Sequence, residues 1–247
     1  MFGKKKDEKA VTVGDQDRTL DDITVRDKGS SVSVSALIDR AVDFAGGRAS
    51  ARVAKMRRKH PNDTPAKLIS RLEKEYVSRA SKQGGAVGAV AAVPALGTAA
   101  ALGVTGAQVA AYLESSAEFV LAVAEVHGVQ PEDTVRRRTL VLAALLGEEG
   151  KELVQGAVGL GSLAWARTAM TKLPTATVRT VNKQPSKRLA EGASRTLLSR
   201  MGGRLLPFGI GAVIGWTGTR SMAKDVVEGS AALFGPAPST FGRTIEA

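Results

Sequence analysis

The sequence predicts an all-α fold: a single helical-bundle domain with two Gly/Ala-rich hydrophobic hairpins and disordered termini. Three observations carry this. Apolar residues recur at spacings of three and four through most of the chain, as in Leu68, Ile69, Leu72, Tyr76, Val77 and Ala80. Period-two alternation is weak and β-branched runs are short, so no strand is expected. Helix starts and stops are marked by capping residues, prolines and glycines. The expected organisation is a disordered polar tail over residues 1–31, a helical domain over 32–235 and a loose C-terminal tail over 236–247.

The first helix starts near Ser33, with Leu37, Ile38, Ala41, Val42, Phe44 and Ala45 along one stripe. Gly46-Gly47 interrupts it, and residues 48–60 continue as a segment with a basic face: Arg48, Arg52, Lys55, Arg57, Arg58 and Lys59. Asp63-Thr64-Pro65 opens the second helix, an N-cap followed by proline at the first helical position. Glu75 and Arg79 on this helix are spaced to pair at i, i+4, worth a few tenths of a kcal/mol, roughly.

Residues 83–113 contain no charge in 31 positions. So long a segment must leave water, into a protein core or a bilayer. Gly and Ala fill more than half of it, and Pro94 and Gly97 break it into two helical arms joined at residues 92–98. Small residues let such arms approach each other closely. Leu205 to Thr219 is a second uncharged run, and residues 202–215, opening with Gly202-Gly203, echo the combination of paired glycines, proline and spaced small residues in 84–97. The candidate helix-packing glycines are Gly84, Gly88, Gly97, Gly211 and Gly215, and the candidate hairpin turns are Pro94 and Pro207.

Between these runs, one helix is expected from about Thr105 to His127, closed by Gly128. Another follows Pro131-Glu132-Asp133 and stops at Gly147, with acids in its first turn where the helix dipole favours them. Residues 148–172 read as a glycine-loosened helical stretch, 174–185 as a linker and 186–204 as a basic amphipathic helix. A last helix fades at Gly235-Pro236.

The net charge is +11, distributed as +7 over residues 1–82, −2 over 83–178 and +6 over 179–247. Basic flanks around an apolar centre suit an anionic surface. The candidate contact residues are Arg48, Arg52, Arg57, Arg58, Lys187, Arg188, Arg195 and Arg200. The chain has no cysteine, which excludes disulfides and thiol catalysis. The polar residues after Met1 do not form a signal peptide, so export by the general pathway is not expected.

Catalytic chemistry lacks its parts. The two histidines, His60 and His127, stand beside a basic run and at a helix end, and no nucleophile elbow or phosphate-binding loop occurs. No catalytic, cofactor-binding or metal residue is assigned and no cofactor is expected. Glu114, Glu118 and Glu125 share one helix face. That stripe reads either as a site for a hard cation or as a solvated polar face, and the second needs no ligand. The basic segments lack interleaved aromatics, so nucleic acid is not the expected partner.

Three features together resemble the EcsC family of bacterial proteins. The first is the Gly-Gly-Ala start with a central proline, Gly84 to Gly97. The second is His127-Gly128 followed by Pro131-Glu132-Asp133 and Arg136 to Arg138. The third is the Pro-Phe-Gly-x-Gly-x-x-x-Gly run, Pro207 to Gly215. The resemblance spans residues 65–235. The chain departs from it at His127, where Tyr is more usual, and at Thr217, near a common Asn. The resemblance implies a helical, membrane-linked accessory protein and supplies no active site.

The expected function is therefore a membrane-associated helical accessory or scaffold at the cytoplasmic side of the bacterial membrane, peripheral or partly inserted, with a cytosolic location as the alternative. Its expected partners are anionic lipid and a membrane protein such as a transporter. A membrane-perturbing or pore-forming protein and a soluble lipid-handling enzyme are the alternatives.

Overall fold

In the computed structural model the described residues are 24–27, 30–91, 98–131, 133–148, 150, 152 and 210–241. They form an all-α domain. Its described helices are α1 (Val34–Lys59), α2 (Pro65–Ala91), α3 (Thr98–Val126), α4 (Thr134–Leu146) and α5 (Ile210–Phe234). A small antiparallel hairpin, β1 (Thr24–Asp27) with β2 (Ser30–Ser33), precedes them. The expectation of no strand fails at this hairpin, whose residues 24–27, 30 and 31 fall within the tail expected to be disordered; the rest of residues 1–31 lies outside the described residues. Val25 pairs with Val32, and Ser33 both ends β2 and caps α1, its hydroxyl accepting from the Ala36 amide at 3.1 Å.

The helix signals act as expected where they are local. Pro65 is the first residue of α2, behind Thr64, whose hydroxyl accepts from the Lys67 amide at 3.4 Å. Asp133 caps α4, accepting from the Arg136 amide at 2.7 Å. Gly128, Gly147 and Gly235 adopt positive φ after α3, α4 and α5, the left-handed step that ends a helix.

Where packing intervenes, the expectations shift. Gly46-Gly47 does not interrupt α1, which runs unbroken through both. A Cβ on Gly46 would meet the Arg137 guanidinium at 3.0 Å, so glycine here makes room for a side chain from α4. Phe44 belongs to no core stripe: it is 55% exposed, beneath the Arg48 guanidinium at 4.6 Å. The helix expected from Thr105 starts at Thr98. The C-terminal segment is not loose as far as Phe241, whose ring packs against the core edge and under Arg57.

α3 is the central helix. It is buried continuously from Ser115 to Ala124, enclosed by α1, α2, α4 and α5 with β1 also against it. The core around it is built from Leu37, Ile38 and Val42 of α1, Leu68, Leu72 and Tyr76 of α2, Leu140 and Leu142 of α4, and Val226 and Leu233 of α5. α2 and α3 are joined by six residues and turn back on each other. The Tyr112 hydroxyl meets the Met222 carbonyl at 3.2 Å and the His127 ring stacks on Phe234 at 5.4 Å, so α5 runs in the same direction as α3. It therefore opposes α2.

Along its length α2 packs against α5 more extensively than against α3. α2, whose last residues belong to the first glycine-rich run, packs against α5, whose first residues belong to the second. Gly84 is buried, Gly88 lies in α2, and Gly211 and Gly215 lie in α5. Gly97, both turn prolines, the helical stretch expected beyond residue 152, the 174–185 linker and the 186–204 helix lie outside the described residues. Among the described residues, no helix is long and apolar enough to cross a membrane.

Candidate functional site

The densest arrangement of charge lies where α1, α2 and α3 meet. Glu118 projects from α3 with its side chain 6% exposed. Arg52 of α1 hydrogen-bonds it through Nε and reaches Glu75 of α2 through Nη1. Arg79 of α2 lies 3.5 Å from Glu118 and 3.2 Å from Glu75, the latter being the expected i, i+4 pair. Arg48 stands 3.9 Å from Glu118. Three arginines thus surround two glutamates. Burial works to lower the Arg52 pKa, but the hydrogen bond and charge of Glu118, with those of Glu75, hold it above the ordinary arginine value.

This cluster corrects both readings of the acidic stripe. Glu118 is not on a solvated face, because its side chain is 6% exposed, whereas Glu114 and Glu125 of the same stripe are half-buried. It does not await a cation, because guanidinium groups already surround it. Among the described residues, no group of three or more His, Asp or Glu side chains is placed to hold a metal ion. Glu125 accepts a hydrogen bond from the Ser50 hydroxyl at 2.7 Å, and Glu114 is half-buried on the same helix.

A layer of hydroxyl groups packs beside the ion cluster. Ser116 donates to the Tyr112 carbonyl at 2.7 Å, so the Tyr76 hydroxyl, 2.7 Å from Ser116 Oγ, is the donor to it. The Tyr76 ring stacks on Phe119 with centroids 4.6 Å apart. Burial pushes both tyrosines up, Tyr76 well above the ordinary phenol range and Tyr112 to about 12. High proton affinity makes these hydroxyls structural donors, not bases. His127 is buried against Phe234 at the end of α3, a packing position.

The uncharged ends of three helices gather at one end of the bundle. The last charge of α2 is Lys82, the first of α3 is Glu114 and the first of α5 is Arg220. At the border of this end Trp216 is 41% exposed, and the Arg220 guanidinium lies 5.2 Å from its ring centre. Lys82 and Lys224 are exposed.

The proposed surface-contact arginines divide. Arg52 is engaged inside the ion cluster, and Arg48 is shared between Glu118 and the Phe44 ring. Arg57 stacks over Phe241 at 4.4 Å, while Arg58 is exposed beside it. These two lie next to the start of α2, at the far end of that helix from Ala91, a separation of about 39 Å for 27 residues at about 1.5 Å each. Lys187, Arg188, Arg195 and Arg200 lie outside the described residues. Trp216 and Arg220, which sequence reading passed over, carry one readable signal: an aromatic and a cation four residues apart where the uncharged run ends. The chain matches no family model, no curated protein and no solved structure.

Proposed function

We propose that this chain is a helical accessory or scaffold protein that acts at an anionic membrane surface. It meets the lipid with the uncharged end formed by α2, α3 and α5. The observation that carries this reading is Trp216, exposed and paired with Arg220 at the border between the uncharged end and the charged body. Tryptophan favours the depth of lipid head groups, and cations beside it meet anionic lipid. The longest uncharged helical segment, residues 98–113, is about 24 Å long, shorter than the roughly 30 Å hydrocarbon core. Entry into one leaflet or rest at the interface fits that length. The contact residues in this reading are Trp216, Arg220, Lys82 and Lys224 rather than Arg52, whose charge is directed inward. A role beside a membrane machine such as a transporter follows the resemblance to the EcsC family and rests on it alone.

The test uses Trp165→Phe, which leaves Trp216 as the sole tryptophan. Vesicles of phosphatidylcholine with phosphatidylglycerol should shift Trp216 emission to the blue and carry the protein into the pellet, and pure phosphatidylcholine should do so far less. Unshifted emission with anionic vesicles would end the proposal. Release of trapped dye at low protein-to-lipid ratio would replace the accessory role with the membrane-perturbing one.

A further inference from the structure

A cleft of about 450 Å³ opens where the last turns of α1, the loop between α1 and α2, and Phe241 meet. Arg57, Arg58, His60, Pro61, Asp63 and Phe241 line it. We infer that it binds a small phosphate monoester, the phosphate held by Arg57 and Arg58 and the rest of the molecule lying against Phe241 and Pro61. The inference stands apart from the membrane reading, because the cleft is at the opposite end of α2 from the uncharged end.

The charge in the cleft is unbalanced. Asp63 is the one acid among the lining residues described, and Arg71 engages it from outside with an Nε–Oδ2 distance of 2.5 Å. That hydrogen bond holds the Asp63 carboxyl below its ordinary value, so it stays ionised and committed to Arg71. Arg58 has no carboxylate partner among the described residues. The Arg57 guanidinium carbon lies over the Phe241 ring, 4.4 Å from its centre, and a contact through the ring face satisfies none of its N–H donors, which suit the two-pronged hydrogen bonding that phosphate oxygens accept.

Cations at a helix C-terminus are favoured by the helix dipole, which accounts for a basic last turn in α1. It does not account for the aromatic wall. Residues 235–241 return the chain to α1 and set Phe241 against Arg57, which turns a basic helix end into a cleft with an apolar side. Its volume falls in the range of small-ligand sites, roughly 300–1,000 Å³. An anion bearing a planar or apolar group fits both walls, and inorganic phosphate would use only one.

The two histidines make the test direct. His60 lines the cleft, whereas His127 is buried against Phe234 and serves as an internal control. Phenyl phosphate added to the full chain should move the His60 ring proton resonances to saturation and leave those of His127 in place. Arg58→Ala, an exposed substitution, should weaken that binding at least tenfold. Phe241→Ala should weaken phenyl phosphate more than inorganic phosphate. Vesicles containing phosphatidic acid form a second arm. Saturation by phenyl phosphate identifies a soluble ligand, and saturation by the vesicles alone identifies the same phosphate chemistry on a lipid. No saturable His60 shift in either arm, or a shift that chloride reproduces at equal ionic strength, would overturn the site.

Discussion

Arg52 of α1 hydrogen-bonds the carboxylate of Glu118, a side chain buried in the middle of α3 and 66 residues away in sequence. The contact explains how the central helix carries a charge through a core of Ala, Val and Leu. An isolated buried carboxylate is strongly disfavoured, whereas one with three guanidinium neighbours is compensated. The same contact fixes the relative placement of the three helices, because Arg52 also reaches Glu75 on α2.

Removing one partner should therefore be costly. Glu118→Gln leaves Arg52 and Arg79 facing a neutral group, and loss of one member of a buried pair costs about 3–5 kcal/mol. The lower end applies here, because Arg48 and Arg79 reach water. Urea unfolding should show the loss as a lower midpoint at unchanged slope. The paired substitution Arg52→Met with Glu118→Leu should recover a substantial part of it. A double variant as unstable as the sum of the singles would show that the two residues do not act together.

Alkaline titration should expose the tyrosine layer. Tyr112 is raised to about 12 and Tyr76 well above its ordinary value, both chiefly by burial, while unfolded tyrosines ionise near pH 10, approximately. Above about pH 10 the unfolded chain releases these protons and the folded chain retains them. Their contribution to stability is thus complete below about pH 10 and is lost as the pH rises through the folded values. Unfolding free energy should fall over that window. Tyr76→Phe with Tyr112→Phe should start less stable at neutral pH and show a shallower alkaline decline. An unchanged slope would contradict the assignment.

Much of the fold was legible because the signals that mark it are short-range. Thr64-Pro65, Asp133, Gly128 and Gly147 act within a few residues of themselves, and the α2 stripe of Leu68, Leu72, Tyr76 and Ala80 is buried as its spacing predicts. The charge cluster was hidden for the converse reason. Glu114, Glu118 and Glu125 share a helix face and look solvated until α1 and α2 are placed over it. Arg52, which composition assigns to an outer surface, points inward because Glu118 is there. Gly46-Gly47 reads as a break because the residue that occupies the space beside Gly46, Arg137, lies on another helix. The preference of α2 for α5 over α3 is equally tertiary.

Two glycines separate close packing from mere permissiveness. A Cβ on Gly229 of α5 would stand 2.1 Å from the Ala144 carbonyl oxygen and 3.1 Å from the Gly147 Cα, both backbone atoms of the α4 end. Gly229→Ala should force the two helices apart and cost about 1–3 kcal/mol. A Cβ on Gly47 meets nothing within 4 Å, and that position is an exposed helix interior. Gly47→Ala should stabilise by up to about 1 kcal/mol. Thermal melting of the two variants should move in opposite directions. A tolerated Gly229→Ala would mean that α4 and α5 do not approach this closely.

Charge reversal at the two ends of α2 should separate the membrane reading from simple basicity. Lys82 flanks the uncharged end about 26 Å along α2 from its first residue, beside which Arg57 and Arg58 stand, and Arg220 flanks it on α5. A screened surface potential decays within about 8–10 Å at ordinary ionic strength, so the two sets cannot contribute to one flat contact. Each cation near an anionic surface contributes about 1 kcal/mol. Lys82→Glu with Arg220→Glu should therefore weaken binding to phosphatidylglycerol vesicles at least tenfold, while Arg57→Glu with Arg58→Glu leaves it nearly unchanged. Co-sedimentation over a lipid titration measures both. The reverse pattern would place the lipid contact at the cleft, and equal losses would reduce the interaction to net charge without a defined face.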